Sequence, residues 1–151
     1  MSDEFSIPAR RICSSAEKVA ERYQHSAISP EHILLGIAEE VQAFHSMAHK
    51  ILNEHNSIEI LKKTLEEALR QIPPKPANGP LSFTPEGTLV LEEARKYSKS
   101  VDHGIVGTGH LLYAIACLES SAASQALKKA GITMKDLEKA VNTVYVEMKK
   151  V

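Results

Sequence analysis

An all-α fold, eight helices arranged as two pseudo-twofold-related four-helix repeats, is what this sequence predicts, and three observations predict it. The first is internal repetition. Sliding the sequence by 78 positions lays residues 5–38 on 83–116 without a gap, with eight identical pairs: Phe5/Phe83, Ala16/Ala94, Lys18/Lys96, His25/His103, His32/His110, Leu34/Leu112, Ile37/Ile115 and Ala38/Ala116. The second is period. Ile12, Ala16, Val19 and Tyr23 recur at helical spacing, Val90, Ala94, Tyr97 and Val101 fill the matching places, and each set puts one apolar stripe on one helix face. The third is punctuation, because cap residues and prolines fall just where those stripes begin. Strand signals are weak: alternation is brief and β-branched residues are scattered through helical patterns.

The elements follow in order. Ser6 caps a helix over 7–25, with Pro8 in the first turn, where a missing N–H costs nothing. Ser29 caps a second, 30–41, with Pro30 at its first position. The third covers 44–54 and carries Phe44 and Met47 where the second half has 118–122, so the halves are expected to present unequal surfaces. The fourth, 58–71, is marked by Leu61, Leu65, Ala68, Leu69 and Ile72. The stretch IPPKPANGPLS, 72–82, holds four prolines and a glycine in eleven residues and cannot be helix. Thr84, followed by Pro85, opens the fifth helix over 85–101, and Gly107 stands at the cap place of the sixth, 108–118. The seventh, 121–130, stops at Gly131. Thr133 with Asp136 three residues on opens the eighth, 134–149, which carries the stripe Leu137, Val141, Val144, Tyr145 and Met148. The expected organisation is a single domain, 1–151, with repeat one at 5–72, a linker at 73–82 and repeat two at 83–149. A four-helix unit of about 70 residues is a marginal core by itself, so the repeats are expected to bury each other's faces.

Composition narrows the function classes. Apolar residues make up 43% and charged residues 25%, ordinary for a globular domain. A formal net charge of -1 with no basic stripe argues against nucleic acid as the main partner. No apolar run approaches the roughly 18 residues of a membrane span, and MSDEFSIPARR lacks the apolar stretch of a secretory signal. Cys13 and Cys117 both fall inside apolar helical patterns, which reads as two buried small hydrophobes in a reducing cytoplasm rather than a disulfide. There is no G-x-x-x-x-G-K-[ST] phosphate cradle and no G-x-S-x-G nucleophile elbow, so neither ATP hydrolysis by that route nor hydrolytic catalysis is expected. No catalytic residue, cofactor or metal site is assigned. The histidines are the nearest thing to a ligand set. His25 with His32 and His103 with His110 lie seven apart across a turn, not at the spacing of a helical zinc site, and turn hydrogen bonding is the expected role. His45, His49 and His55 cluster in the third helix. The first helix carries Arg10, Arg11, Glu17, Lys18, Glu21 and Arg22, and its counterpart Glu92, Glu93, Arg95, Lys96 and Lys99; mixed-sign faces of this kind are ordinarily solvated. Glu31 sits in the first turn of its helix, where backbone N–H groups and the helix dipole favour a carboxylate.

The repeated motif carries a resemblance. Pro30-Glu31-His32-Ile33-Leu34-Leu35-Gly36-Ile37 and Thr108-Gly109-His110-Leu111-Leu112-Tyr113-Ala114-Ile115, together with the Pro80-Leu81-Ser82-Phe83-Thr84-Pro85 lead-in, resemble the twice-given T-E-H-L-L-L-G-L motif of the Clp amino-terminal domain. The resemblance spans residues 5 to about 147. It implies a module that receives protein clients or adaptors for a Clp-type AAA+ unfoldase–protease, in regulated proteolysis. The chain would be either a piece of a longer unfoldase or a freestanding relative that docks on Clp ATPase or protease subunits. It also implies a ligand reading for Glu31, since some bacterial members bind phosphorylated arginine with the Glu of this motif in each repeat. Here Gly109 replaces the second Glu and Pro30 removes an N–H donor, so any such site is expected in the first repeat alone.

Overall fold

The computed structural model describes residues 4–40, 47–54, 58–75 and 77–149. Eight helices lie among the described residues: α1 (Ile7–Arg22), α2 (Pro30–Glu39), α3 (Met47–Glu54), α4 (Ile58–Arg70), α5 (Pro85–Ser100), α6 (Thr108–Cys117), α7 (Ala122–Lys129) and α8 (Met134–Lys149). α1, α2, α5, α6 and α8 begin where the capping argument places them, while α7 begins at Ala122, one residue past its expected start, with Ser121 as its cap. Ser6 Oγ accepts from Ala9 N at 3.1 Å and Thr84 Oγ1 from Gly87 N at 3.0 Å, while Thr133 and Asp136 close a reciprocal pair ahead of α8. Residues 44–46 of the expected third helix, with Phe44 and His45, and also His55, lie outside the described residues, as do the side chains of Met47 and His49.

Among the helices that end earlier than periodicity predicts, α1 and α5 do so for one reason. After α1, Gln24 takes a left-handed φ of 58°, and after α5, Asp102 takes 57°. Each reversal sends the following histidine's N–H back to a carbonyl five residues earlier, His25 to Ala20 O at 2.9 Å and His103 to Ser98 O at 3.0 Å, the bond that closes a Schellman-type turn. The histidines are thereby lifted off the helices and pointed inward. Left-handed backbone is unfavourable for a side chain such as glutamine. Gln24→Gly is therefore expected to raise stability by about 0.5 kcal/mol, after allowing for the greater freedom of glycine in the unfolded chain. Asp102→Gly should gain less, because aspartate tolerates this region better. Urea unfolding reads both, and a loss for Gln24→Gly would show that the glutamine side chain does a job beyond the turn.

The repeats are not two self-contained bundles. α2 and α6 meet at the centre, buried on nearly every side. α1 packs on α2 and α5 on α6, as the 78-residue shift suggests. The third helices, however, cross over: α7 lies against α2 and α4 of the first repeat as well as α6, and α3 lies against α6 and α8 of the second as well as α2. One apolar cluster results, running from Phe5 to Val141 and including Leu34, Leu65, Leu112 and Leu127. Ile72, expected in the α4 stripe, is instead 43% exposed, because α4 ends at Arg70 and the next two N–H groups tighten onto carbonyls three residues back.

The exchange extends to strand pairing that the sequence did not advertise. β1 (Ala27–Ile28) and β2 (Ser82–Phe83) pair in parallel, Ala27 with Ser82 and Ile28 with Phe83, and a lone parallel bridge joins Phe5 to Val106. Because Phe5 matches Phe83 and Ile28 matches Val106 under the 78-residue shift, the lead-in of each repeat pairs with the turn of the other. Two-residue ladders are too short to show alternation.

Candidate functional site

The two copies of the helix-start motif build the same device. A backbone N–H can only donate, so Ser29 N, 2.9 Å from His32 Nδ1, fixes that nitrogen as an acceptor and leaves the proton on Nε2. His32 Nε2 then donates to His25 Nδ1 at 2.8 Å, and His25 Nε2 donates to the Ile72 carbonyl at 3.2 Å. In the second repeat Gly107 N donates to His110 Nδ1 at 2.8 Å and His110 Nε2 to His103 Nδ1 at 2.7 Å. All four rings are buried. Burial first, and then the facing imidazole, lowers His32 and His110 to about 4. Each relay is thus a neutral, directed chain that ties the end of α1 or α5 to the start of α2 or α6. Among the described residues no group of three His, Cys, Asp or Glu side chains is placed to hold a metal ion.

Glu31 lies at the neighbouring position and faces the other repeat. Its Oε2 accepts from Ala123 N, 2.9 Å away in the first turn of α7. The matching place in the second repeat, Gly109, has no side chain, and the task passes one residue back: Thr108 Oγ1 accepts from Ala48 N at 2.9 Å, in the first turn of α3. Each central helix start therefore caps the exchanged third helix of the opposite repeat. Thr108 escaped sequence reasoning because its partner lies 60 residues away.

The cysteines divide. Cys13 is buried, and burial pushes its thiol up to about 11, so it stays protonated in the core. Cys117 is only half-buried, beside Tyr113, whereas the helical pattern placed it wholly inside.

Two surface clefts stand out among the described residues. The larger, about 320 Å³, runs along the flank of α1 beside the β1–β2 ladder, with Ile28, Leu81, Phe83 and Cys13 lining it and Arg10 and Glu17 at its charged rim. Gly87 lets this ladder seat closely on α5, since a Cβ there would stand 2.6 Å from the Ile28 carbonyl oxygen. The smaller, about 240 Å³, lies over the first relay, between His25, Ser29, Ile72, Lys75 and Thr84. Both are absent from sequence reasoning, which read the α1 charges as a solvated face and 80–85 only as a lead-in.

Comparison with known proteins agrees with this architecture. Residues 4–130 and 82–151 match the Clp repeat (R) N-terminal domain family. Over 105 residues, 69% of this chain, the sequence is 33% identical to the ATP-dependent Clp protease ATP-binding subunit ClpC of Staphylococcus aureus, of which the match covers 12%. Among solved structures, the N-domain of ClpV from Vibrio cholerae superposes with a TM-score of 0.76 at 15% identity, covering 95% of this chain and 86% of that one. The Hsp104 N-terminal domain from Candida albicans gives 0.72 at 18% identity, covering 97% and 92%. A complex of a ClpV N-domain with a VipB peptide gives 0.70 at 14% identity, covering 95% and 88%. Eight helices in two interlocked repeats, a doubled histidine relay and a family match along the chain lead to one conclusion: the protein belongs to the Clp repeat N-terminal domain family.

Proposed function

We propose that this chain is a protein-docking module, which takes a segment of a client or adaptor protein and presents it to an ATP-driven Clp unfoldase, with no chemistry of its own. The observation that carries this reading is the open cleft of about 320 Å³ on α1, with an apolar floor and a charged rim, set on an interlocked bundle. Such a cleft suits a few side chains of an extended or helical segment. The ClpV N-domain seen with a VipB peptide, a relative in fold, supports it. The subunit named in the sequence match is an ATP-binding subunit of an ATP-dependent protease, which supports the destination of the cargo.

Binding of carboxymethylated, permanently unfolded α-lactalbumin tests the reading. Fluorescence anisotropy is expected to give saturable micromolar binding that the folded form of the same protein does not show. Absence of binding, together with co-purification solely with Clp ATPase or protease subunits, would assign the chain instead to an accessory subunit that handles no client.

A further inference from the structure

The two repeats differ at one place in a way that specifies a ligand. In the second repeat the position matching Glu17 is Arg95. Its guanidinium lies over the Phe5 ring, 5.0 Å from the centroid, and its Nε is 2.9 Å from Glu4 Oε2. Phe5 is fully buried beneath it. An arginine, an aromatic face and a carboxylate thus close that site from within.

In the first repeat the same scaffold stands open. Phe83 takes the place of Phe5 and is only partly buried, Ser82 takes the place of Glu4, and Glu17 takes the place of Arg95. The cavity of about 320 Å³ lies between Phe83 and Glu17, with Ile28 matching Val106 on its floor. Neither a hydrogen bond nor an ion pair engages Glu17 among the described residues. The aromatic platform and one carboxylate are present, and no arginine stands at the place that Arg95 fills in the other repeat. We propose that this cleft binds an arginine side chain of a partner protein, its guanidinium stacked on Phe83 and paired to Glu17, so that the partner supplies the lid that Arg95 supplies in the other repeat.

The proposal rests on the docking reading and names the chemistry of its cargo. It concerns residues apart from Glu31, whose carboxylate is engaged at Ala123 N, and an arginine without phosphate. Arg10, two turns before Glu17 on the same face of α1 and lining the same cleft, adds a preference for a carboxylate next to the arginine, in a segment such as Arg-Glu or Arg-Asp.

The test is a titration of the isotope-labelled protein with N-acetyl-arginine amide, followed by amide NMR shifts. Saturable shifts confined to residues around Glu17, Ile28 and Phe83 are expected, and the uncharged isostere N-acetyl-citrulline amide should bind at least tenfold more weakly. Glu17→Gln should lose at least tenfold for the arginine probe. The double variant Glu17→Arg with Ser82→Glu rebuilds the lid of the second repeat; it should keep the fold, by circular dichroism and melting temperature, and bind no arginine probe. Equal binding of citrulline, shifts located elsewhere, or undiminished binding by the folded double variant would each overturn the proposal. Unfolded α-lactalbumin run alongside separates the two readings. If it binds and the arginine probe does not, the arginine assignment fails alone, and if neither binds, the docking function fails with it.

Discussion

Acidification from pH 7 to about 4 is expected to remove about 3 kcal/mol of stability through each histidine relay. The direction follows from the proton balance. His32 and His110 are lowered from 6.5 to about 4 in the folded protein, so between those values the unfolded chain takes up protons that the folded chain refuses. The stabilisation is complete above pH 6.5, drains away as pH falls toward 4, and changes no further through these groups below that. The physical cause is the directed chain: protonating His32 Nδ1 would aim a second donor at Ser29 N, and an added charge would be buried beside another imidazole. Each tenfold change in proton affinity is worth about 1.4 kcal/mol, which sets the size. Urea unfolding across this range should report an uptake approaching two protons on unfolding, and nitrogen NMR should find both rings protonated at Nε2 alone at pH 6. An uptake below half a proton, or an Nδ1-protonated ring, would remove the relays from the stability account.

The second large effect is expected in the central helices. Leu34 of α2 and Leu112 of α6 are matching residues, both fully buried. Leu34→Ala and Leu112→Ala should each cost about 3 kcal/mol, the transfer of the lost methyl groups plus the cavity left behind. The more telling readout is shape. Because α3 and α7 are exchanged and one apolar cluster spans both repeats, either variant should unfold in a single transition with the slope of the parent protein. A variant in which one repeat melts while the other stays folded would mean that the repeats are separate units.

Local chemistry explains what the sequence made legible. Helix starts at Ser6, Ser29, Thr84 and Thr133 depend on bonds spanning three residues, and the α1 and α5 stripes depend on a period shorter than a turn and a half, so both are visible in any window of the chain. The seven-residue histidine spacing similarly foretold bonding across a turn, although not that the two rings would bond each other. The rest was hidden by distance. Glu31 meets Ala123 across 92 residues, Thr108 meets Ala48 across 60, and Arg95 meets Glu4 across 91. No periodicity encodes such pairs. The helix overruns into residues 23–25 and 101 have another source: glutamine and aspartate do not announce a left-handed turn as glycine would. The cleft on α1 was nonetheless recoverable in outline, since the register that aligns the histidines also opposes Glu17 to Arg95, a reversal of charge at a matched place.

The crossing of the third helices bears on how the molecule is made. A ribosome delivers α3 well before α6 and α8, the helices that cover it, and α2 with α4 must wait for α7. The nascent first repeat therefore leaves the exit tunnel with apolar faces uncovered until α6 to α8 have followed it, and its core closes only when those helices arrive.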